Sequence, residues 1–182
     1  RPHTGQHLLQ QALRNRLCTH VTQAGSLGSP QVARFDFTHD AGLTPDDLSA
    51  VEMEVNEQSL ANIPVDITSR SLDEARAAGA MALFSEKYGQ TVRTVQIGDY
   101  SLELCGGTHA PNTGLLGVAQ IASESSVAAG VRRTEVVAGR PALRLLRSRT
   151  SHLRPLATDR GAAPAVHRRR APALRRGVVP VR

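Results

Sequence analysis

The sequence predicts an α+β fold, a twisted and mainly antiparallel sheet with helices packed against it. Three observations carry that prediction. An apolar stripe at helical spacing opens the chain. A helix start with a capping hydroxyl, a proline and two acids stands at residues 44–47. The rest is largely short strand-like runs parted by Gly, Pro and Ser turns. At 182 residues the chain has length for one medium domain or two small ones, and enough to bury a real core.

In order along the chain, HTGQHLLQQALRNRL places Leu9, Ala12, Leu13 and Leu17 on one helical face. Thr4 and Gly5 are weak helix formers, so something other than propensity must set the first turn. Two strands follow about a Gly/Ser/Pro turn, Val21–Leu27 and Val32–Thr38; in the second, Val32, Arg34 and Asp36 alternate with Ala33, Phe35 and Phe37. Thr44-Pro45-Asp46-Asp47 starts a helix running to about Ala61, with Leu48, Val51, Val55 and Leu60 expected on its inner side. Pro64 ends it and Val65–Ser69 reads as a strand. Ser71-Leu72-Asp73-Glu74 opens a short helix ending near Gly79, and another is expected around Ala80–Phe84. Thr91–Ile97, Ser101–Cys105 and Leu115–Ser123 read as strands, RRTEVVAG as a last one, and Pro141 starts a final helix. Cys18 is expected in the core beside the first helix.

The net charge of +6 is unevenly placed. Residues 1–143 hold 11 basic and 15 acidic side chains, whereas residues 144–182 hold 11 arginines and one acid, Asp159. The body is mildly acidic, and with no Trp and only five Tyr or Phe it offers no aromatic platform for stacked bases. Residues 1–147 therefore read as the domain. Residues 148–182, rich in Arg, Ala and Pro, have the composition of a disordered basic tail, and equally that of a frame-shifted end of a GC-rich gene. No apolar run approaches membrane-helix length, two cysteines make no disulfide framework, and a reduced cytoplasmic setting without membrane contact is expected. Arg1 in place of Met suggests a fragment or a processed product.

His3 and His7 are four residues apart, so on a helix they project from one face a turn apart, a separation at which two imidazoles share one zinc ion. Alone, the pair reads equally as two exposed helix histidines. Cys105-Gly106-Gly107-Thr108-His109 adds a thiolate and a third imidazole, parted by glycines free to take positive φ and wrap an ion. The plain alternative there is a buried Cys beside a glycine turn. Together the halves offer a His₃Cys tetrahedral Zn²⁺ set that staples the first helix to the sheet, a zinc cleft between that helix and the CGGTH turn.

HTGQHLL, ELCGGTHAPNTGLLG and GVRRTEVVAG strongly resemble the editing domain of alanyl-tRNA synthetases, shared in part with threonyl-tRNA synthetases. HVTQAGSL, RFDFTH, GAMALFSEKYG and SSVAAGVRR match in the same order, so the resemblance covers residues 2–146. It implies hydrolysis of tRNA(Ala) wrongly charged with serine or glycine. The family's metal ligands fall on His3, His7, Cys105 and His109, its active-site Gln on Gln23 and a nearby small hydroxyl on Ser26. Arg132 and Arg133 match a basic pair suited to the tRNA acceptor end, or to salt bridges with Glu135 or Glu124. Gln6 stands where the family commonly has Thr, and either amide, Gln23 or Gln6, is a candidate to position water or bond the oxyanion. Thr108, Ser26 and Gln6 are candidates for the contact that tells serine from alanine. Gln10-Gln11 in place of His-Ala, Ser125 in place of Gly and Thr134 in place of an aliphatic residue are further departures.

Neither the three motifs of a class II synthetase core nor a Walker-type phosphate loop occurs in these residues, so ATP-dependent ligation is expected in the remainder of a larger synthetase. The resemblance thus implies editing in cis. A free-standing hydrolase acting in trans and a zinc-stabilised RNA-binding fragment without turnover are the competing readings.

Overall fold

The computed structural model describes residues 2–29, 31–82 and 89–159. It divides into two compact units, Arg1–Leu146 and Arg147–Arg182.

In the first unit, helix α1 (Pro2–Leu17) buries Leu9, Ala12 and Leu13 of the predicted stripe and Leu8 beside them, while Leu17 packs against the core only partly buried. It stops at Cys18, whose N–H reaches Arg14 O at 2.9 Å while its own φ of 94° takes the left-handed turn usually given to glycine. That geometry turns the thiol outward: Cys18 is exposed and is not a core residue. Strands β1 (Gln23–Gly28) and β2 (Ala33–Thr38) form a hairpin, with Phe35 and Phe37 fully buried.

Helix α2 (Pro45–Leu60) begins in a complete capping box between Thr44 and Asp47. Its buried stripe is Val51, Val55 and Ser59. Leu60, expected inside, is 76% exposed, because steps of four from Val51 through Val55 arrive at position 59. Ser59 fits there because its hydroxyl donates to Gly117 O at 2.9 Å, so a buried polar group is answered.

Strand β3 (Val65–Ser71) runs into the capping box of α3 (Leu72–Ala77), built by Ser71 and Glu74. No helix starts at Ala80. Met81 instead bridges to Glu103, its N–H bonding Leu102 O and its carbonyl accepting from Leu104 N, and residues 83 and 84 of that expected helix lie outside the described residues. Strands β4 (Thr91–Ile97) and β5 (Ser101–Leu104) follow. The strand expected from Leu115 is divided: Thr113–Leu116 forms a 3₁₀ turn, Gly117 takes φ +70°, and only then does β6 (Ala119–Ala128) begin. A Cβ on Gly117 would meet Gly139 Cα at 3.3 Å, so that bend admits little else. Strand β7 (Val131–Ala138) leads to α4 (Arg140–Asp159). Helical backbone thus continues past Ser148, and residues 160–182 of the expected tail lie outside the described residues.

All strand pairing is antiparallel, but in two sheets rather than one: β1-β2-β7-β6 and β3-β4-β5. One large core cluster joins them, with Leu8, Leu13, Phe35, Phe37, Val51, Val95 and Ile97 each fully buried, and a smaller one of Ala75, Val92 and Leu104 lies under α3. At about 25 cal/mol per Å² of apolar surface removed from water, this cluster is the main favourable term holding α1 against both sheets.

Candidate metal centre

The first turn of α1 is fixed by tertiary contacts. Thr4 is fully buried, its Oγ1 accepts from Ala110 N at 3.0 Å, and it lies 3.3 Å from His109 Nδ1. A Cβ on Gly5 would press on Leu116 Cδ1 at 3.0 Å. Poor helix formers sit here because each answers a neighbour.

Opposite this turn, β5 ends and the Cys105–His109 loop begins. Arg93 on β4 holds it: its carbonyl accepts from Cys105 N at 3.1 Å, and its Nη1 donates to Cys105 O at 2.8 Å and Gly107 O at 2.6 Å. The Gly107 N–H points at Cys105 Sγ, 3.4 Å away. Neither Gly106 nor Gly107 takes positive φ, contrary to the expectation from sequence. Gly107 is required by space, since a Cβ there would fall 1.8 Å from His3 Cε1; at Gly106 it would meet nothing within 4 Å.

The helix and the loop bring His3, His7, Cys105 and His109 together, one ligand atom from each lying within 4.8 Å of all the others. Cys105 Sγ is 3.3 Å from His3 Nε2 and 3.4 Å from His109 Nε2. A tetrahedral zinc site with ordinary bond lengths places nitrogen and sulfur ligands ~3.5 Å apart, so the spacing fits. The three imidazole centroids are 4.6–5.3 Å apart. His7 is 2% exposed; its Nε2 has no hydrogen-bond partner, and its Nδ1 faces only Glu103 Oε2, 3.3 Å away. Orphaned polar atoms of this kind are rare in a native interior.

The electrostatics agree with a site that receives a cation. Burial, followed by the neighbouring His109 and His3, pushes His7 down to about 3. Burial, His3 and Arg93 push His109 to about 4, and His3 is lowered chiefly by burial. Neutral imidazoles with free lone pairs are the form that binds metal. Burial also raises the Cys105 thiol, so a metal would displace its proton on binding.

Three residues that sequence reasoning passed over serve this cluster: Thr4, Arg93 and Glu103. Glu103 is 1% exposed, and burial raises its carboxyl to about 7. Strand alternation was a usable sign, since Ser101 and Glu103 share one face of β5 and Cys105 follows at the same spacing.

The remaining candidates lie apart from this group by hydrogen bonding. Gln6, 5% exposed, donates from Nε2 to Arg34 O at 3.1 Å. It also lines a cavity of about 690 Å³ with Leu9, Val55, Leu116 and Val136. Gln23 Nε2 donates to Ser26 Oγ at 3.0 Å on β1, and Thr108 is exposed in the loop. Arg132 makes a bidentate pair with Glu124, as one reading of the sequence allowed. Arg133 pairs with Asp36, directly opposite it across β2 and β7, while Glu135 accepts from Ser123. Among the described residues no hydrogen bond or ion pair links Gln23, Ser26, Thr108, Arg132 or Arg133 to the four clustered side chains.

Residues 92–135, which include the whole Cys105–His109 loop, match the threonyl and alanyl tRNA synthetase second additional domain. The alanine–tRNA ligase of Geobacillus thermodenitrificans is 52% identical over 162 residues, covering 89% of this chain and 18% of that protein. That of Acetivibrio thermocellus is 54% identical over 157 residues, 86% of this chain and 18% of the ligase. That of Desulfitobacterium hafniense is 57% identical over 148 residues, 81% of this chain and 17% of the ligase. The chain thus spans less than a fifth of the length of these relatives. By sequence it belongs to the alanyl-tRNA synthetase family, in the segment that carries the second additional domain.

Proposed function

We propose that this chain is the hydrolytic editing module of an alanine–tRNA ligase, removing serine or glycine from wrongly charged tRNA(Ala) at a zinc centre held by His3, His7, Cys105 and His109. The observation that carries the reading is the convergence of those four ligand atoms within 4.8 Å, in a chain matching that family. When bound, zinc supplies Lewis acidity for orienting or polarising the aminoacyl group. Four protein ligands form a closed set, which favours orienting.

The chain's own residues supply the rest. The Gln23 amide, held by Ser26, positions the attacking water or bonds the developing oxyanion. Gln6 spends an amide N–H on Arg34 O and keeps its carbonyl oxygen for the same water. The exposed Thr108 hydroxyl bonds the serine hydroxyl in this reading, a contact that alanine leaves unmade. Arg132 and Arg133 each commit two donors to a carboxylate, which favours the salt-bridge role over the acceptor-end contact among the two that the sequence leaves open. The partner is the tRNA(Ala) acceptor end, and ligation falls to the rest of the longer protein.

The test is release of serine from Ser-tRNA(Ala) by this chain beside its His7→Ala and Cys105→Ala variants. The expected result is a loss of about 100-fold or more in either variant, the upper end of what disturbing a metal's surroundings costs. Wild-type turnover no faster than the variants would overturn the reading.

A further inference from the structure

Among the described residues, Glu103 is the one buried carboxylate that faces a candidate ligand. Its Oε1 accepts from Ser101 Oγ at 3.0 Å. Its Oε2 stands 3.3 Å from His7 Nδ1, and neither atom has a hydrogen bond to anything else. Two buried polar atoms set face to face and otherwise unanswered are retained only when a proton completes them. A proton on Nδ1 or one on Oε2 satisfies both, and the first leaves the lone pair on Nε2, as a metal ligand requires. A repeat of the pattern lies in the same cluster: His109 holds its Nδ1 against Thr4 Oγ1 at 3.3 Å and turns its Nε2 towards Cys105 Sγ at 3.4 Å. His3 also presents Nε2 to that sulfur. Glu103 is not one of the four groups whose ligand atoms converge, so it serves a histidine and not the ion.

We propose that Glu103 is a positioning residue that fixes His7 as its Nδ1–H tautomer and so aims the Nε2 lone pair into the Cys105 cluster. Ser101 in turn holds the carboxylate by its other oxygen. The claim rests on the metal-centre reading above but adds something separate, because the tautomer is set in the protein before any ion arrives. A carboxylate on the far nitrogen of a ligating histidine fixes ring orientation and raises ligand basicity, and its loss typically costs 10–100-fold in affinity.

The test uses the 182-residue chain with two readouts. Zn²⁺ is titrated in competition with a chromophoric chelator, and nitrogen-15 imidazole NMR reads the His7 tautomer in the metal-free protein. The wild type is expected to show Nδ1–H on His7. Glu103→Ala is expected to bind zinc about 10–100-fold more weakly and to lose the fixed tautomer. Glu103→Gln keeps the side-chain volume and an acceptor oxygen, so it decides the matter if the alanine variant fails to fold. It is expected to keep the Nδ1–H tautomer while losing up to about tenfold in affinity. Wild-type zinc binding with both variants within about twofold overturns the Glu103 role and leaves the metal centre standing. An Nε2–H tautomer in the wild type overturns it directly. A wild type that binds no zinc sinks the metal centre, and the tautomer still decides whether Glu103 holds His7.

Discussion

Two clusters of polar side chains sit in this domain, and they are built on opposite terms. On the β2-β7-β6 sheet, Asp36 meets Arg133 on one face and Glu124 meets Arg132 on the other, each pair bidentate, so these four charges are answered within the protein. Between α1 and the Cys105 loop, three imidazoles, a thiol and a buried carboxylate converge, with His7 Nε2 lacking a partner and His7 Nδ1 and Glu103 Oε2 facing only each other. A balanced cluster completes a fold. An unbalanced one carries a desolvation cost of ~1–3 kcal/mol for each orphaned group, which only a further species can offset. The difference assigns structure to the first cluster and ligand binding to the second.

Supplying the missing species is the largest expected perturbation. Zinc at about 1,000 times its Kd adds ~4 kcal/mol to the folded state. For a chain of this size that is a rise in Tm of roughly 8–16 °C over the chelator-treated protein. Differential scanning calorimetry with and without zinc checks it, and Cys105→Ala should show almost none of the rise. An unchanged wild-type Tm would break the contrast at its root.

Next in size is the glycine pair. Gly107→Ala drives a Cβ into the His3 ring, so α1 or the loop must shift, at a cost of ~1–3 kcal/mol together with weakened zinc binding. Gly106→Ala should leave both unchanged, since nothing lies within 4 Å. Equal behaviour of the two variants in denaturant titration would mean the loop is not held against α1 as described.

The balanced side responds to pH instead. Hydrogen bonding from Arg133 holds the Asp36 carboxyl below its ordinary value. A carboxylate with a depressed folded-state pKa contributes stability above its unfolded pKa and loses it as pH falls through the folded one. Asp36→Asn should therefore melt a few degrees lower than wild type at pH 7, on the order of 2 °C. The gap should close in acid, below the ordinary aspartate range. A gap that persists there would show that packing, not charge, holds this pair.

What the sequence disclosed was mostly local. The capping boxes at Thr44 and Ser71 and the stripe of α1 act within a few residues, and each appears in the fold as read. The division into two sheets was hidden because β2 pairs with β7 across nearly a hundred residues, and no local period records a partner. Leu115 read as a strand because its neighbours are apolar, yet Gly117 at positive φ bends the chain before β6 can start. The four candidate ligands were legible because helix spacing and a short loop dictate them. Thr4 and Arg93 were not, since their roles exist only once α1 meets the loop. Gln6 was legible as a position but not as a contact, because its bond to Arg34 O depends on how α1 meets β2.

The smallest effect expected is also the most direct attack on the contrast. If Arg132 is committed to Glu124, removing it should change tRNA(Ala) affinity by less than about threefold and leave the salt dependence unaltered. A guanidinium that reaches a phosphate gives a different result: affinity falls and the slope of log K against log salt shrinks by about one. Arg132→Ala alone is ambiguous, because it strands Glu124 as an unpaired negative charge that itself repels RNA. Arg132→Ala combined with Glu124→Ala removes both charges, and the double-mutant cycle isolates the arginine's own contact. Filter binding of tRNA(Ala) over a range of salt concentrations measures all three variants. A shallower slope in the double variant would place this answered pair on the path of the tRNA, and balance within the protein would then no longer mark a cluster as structural alone.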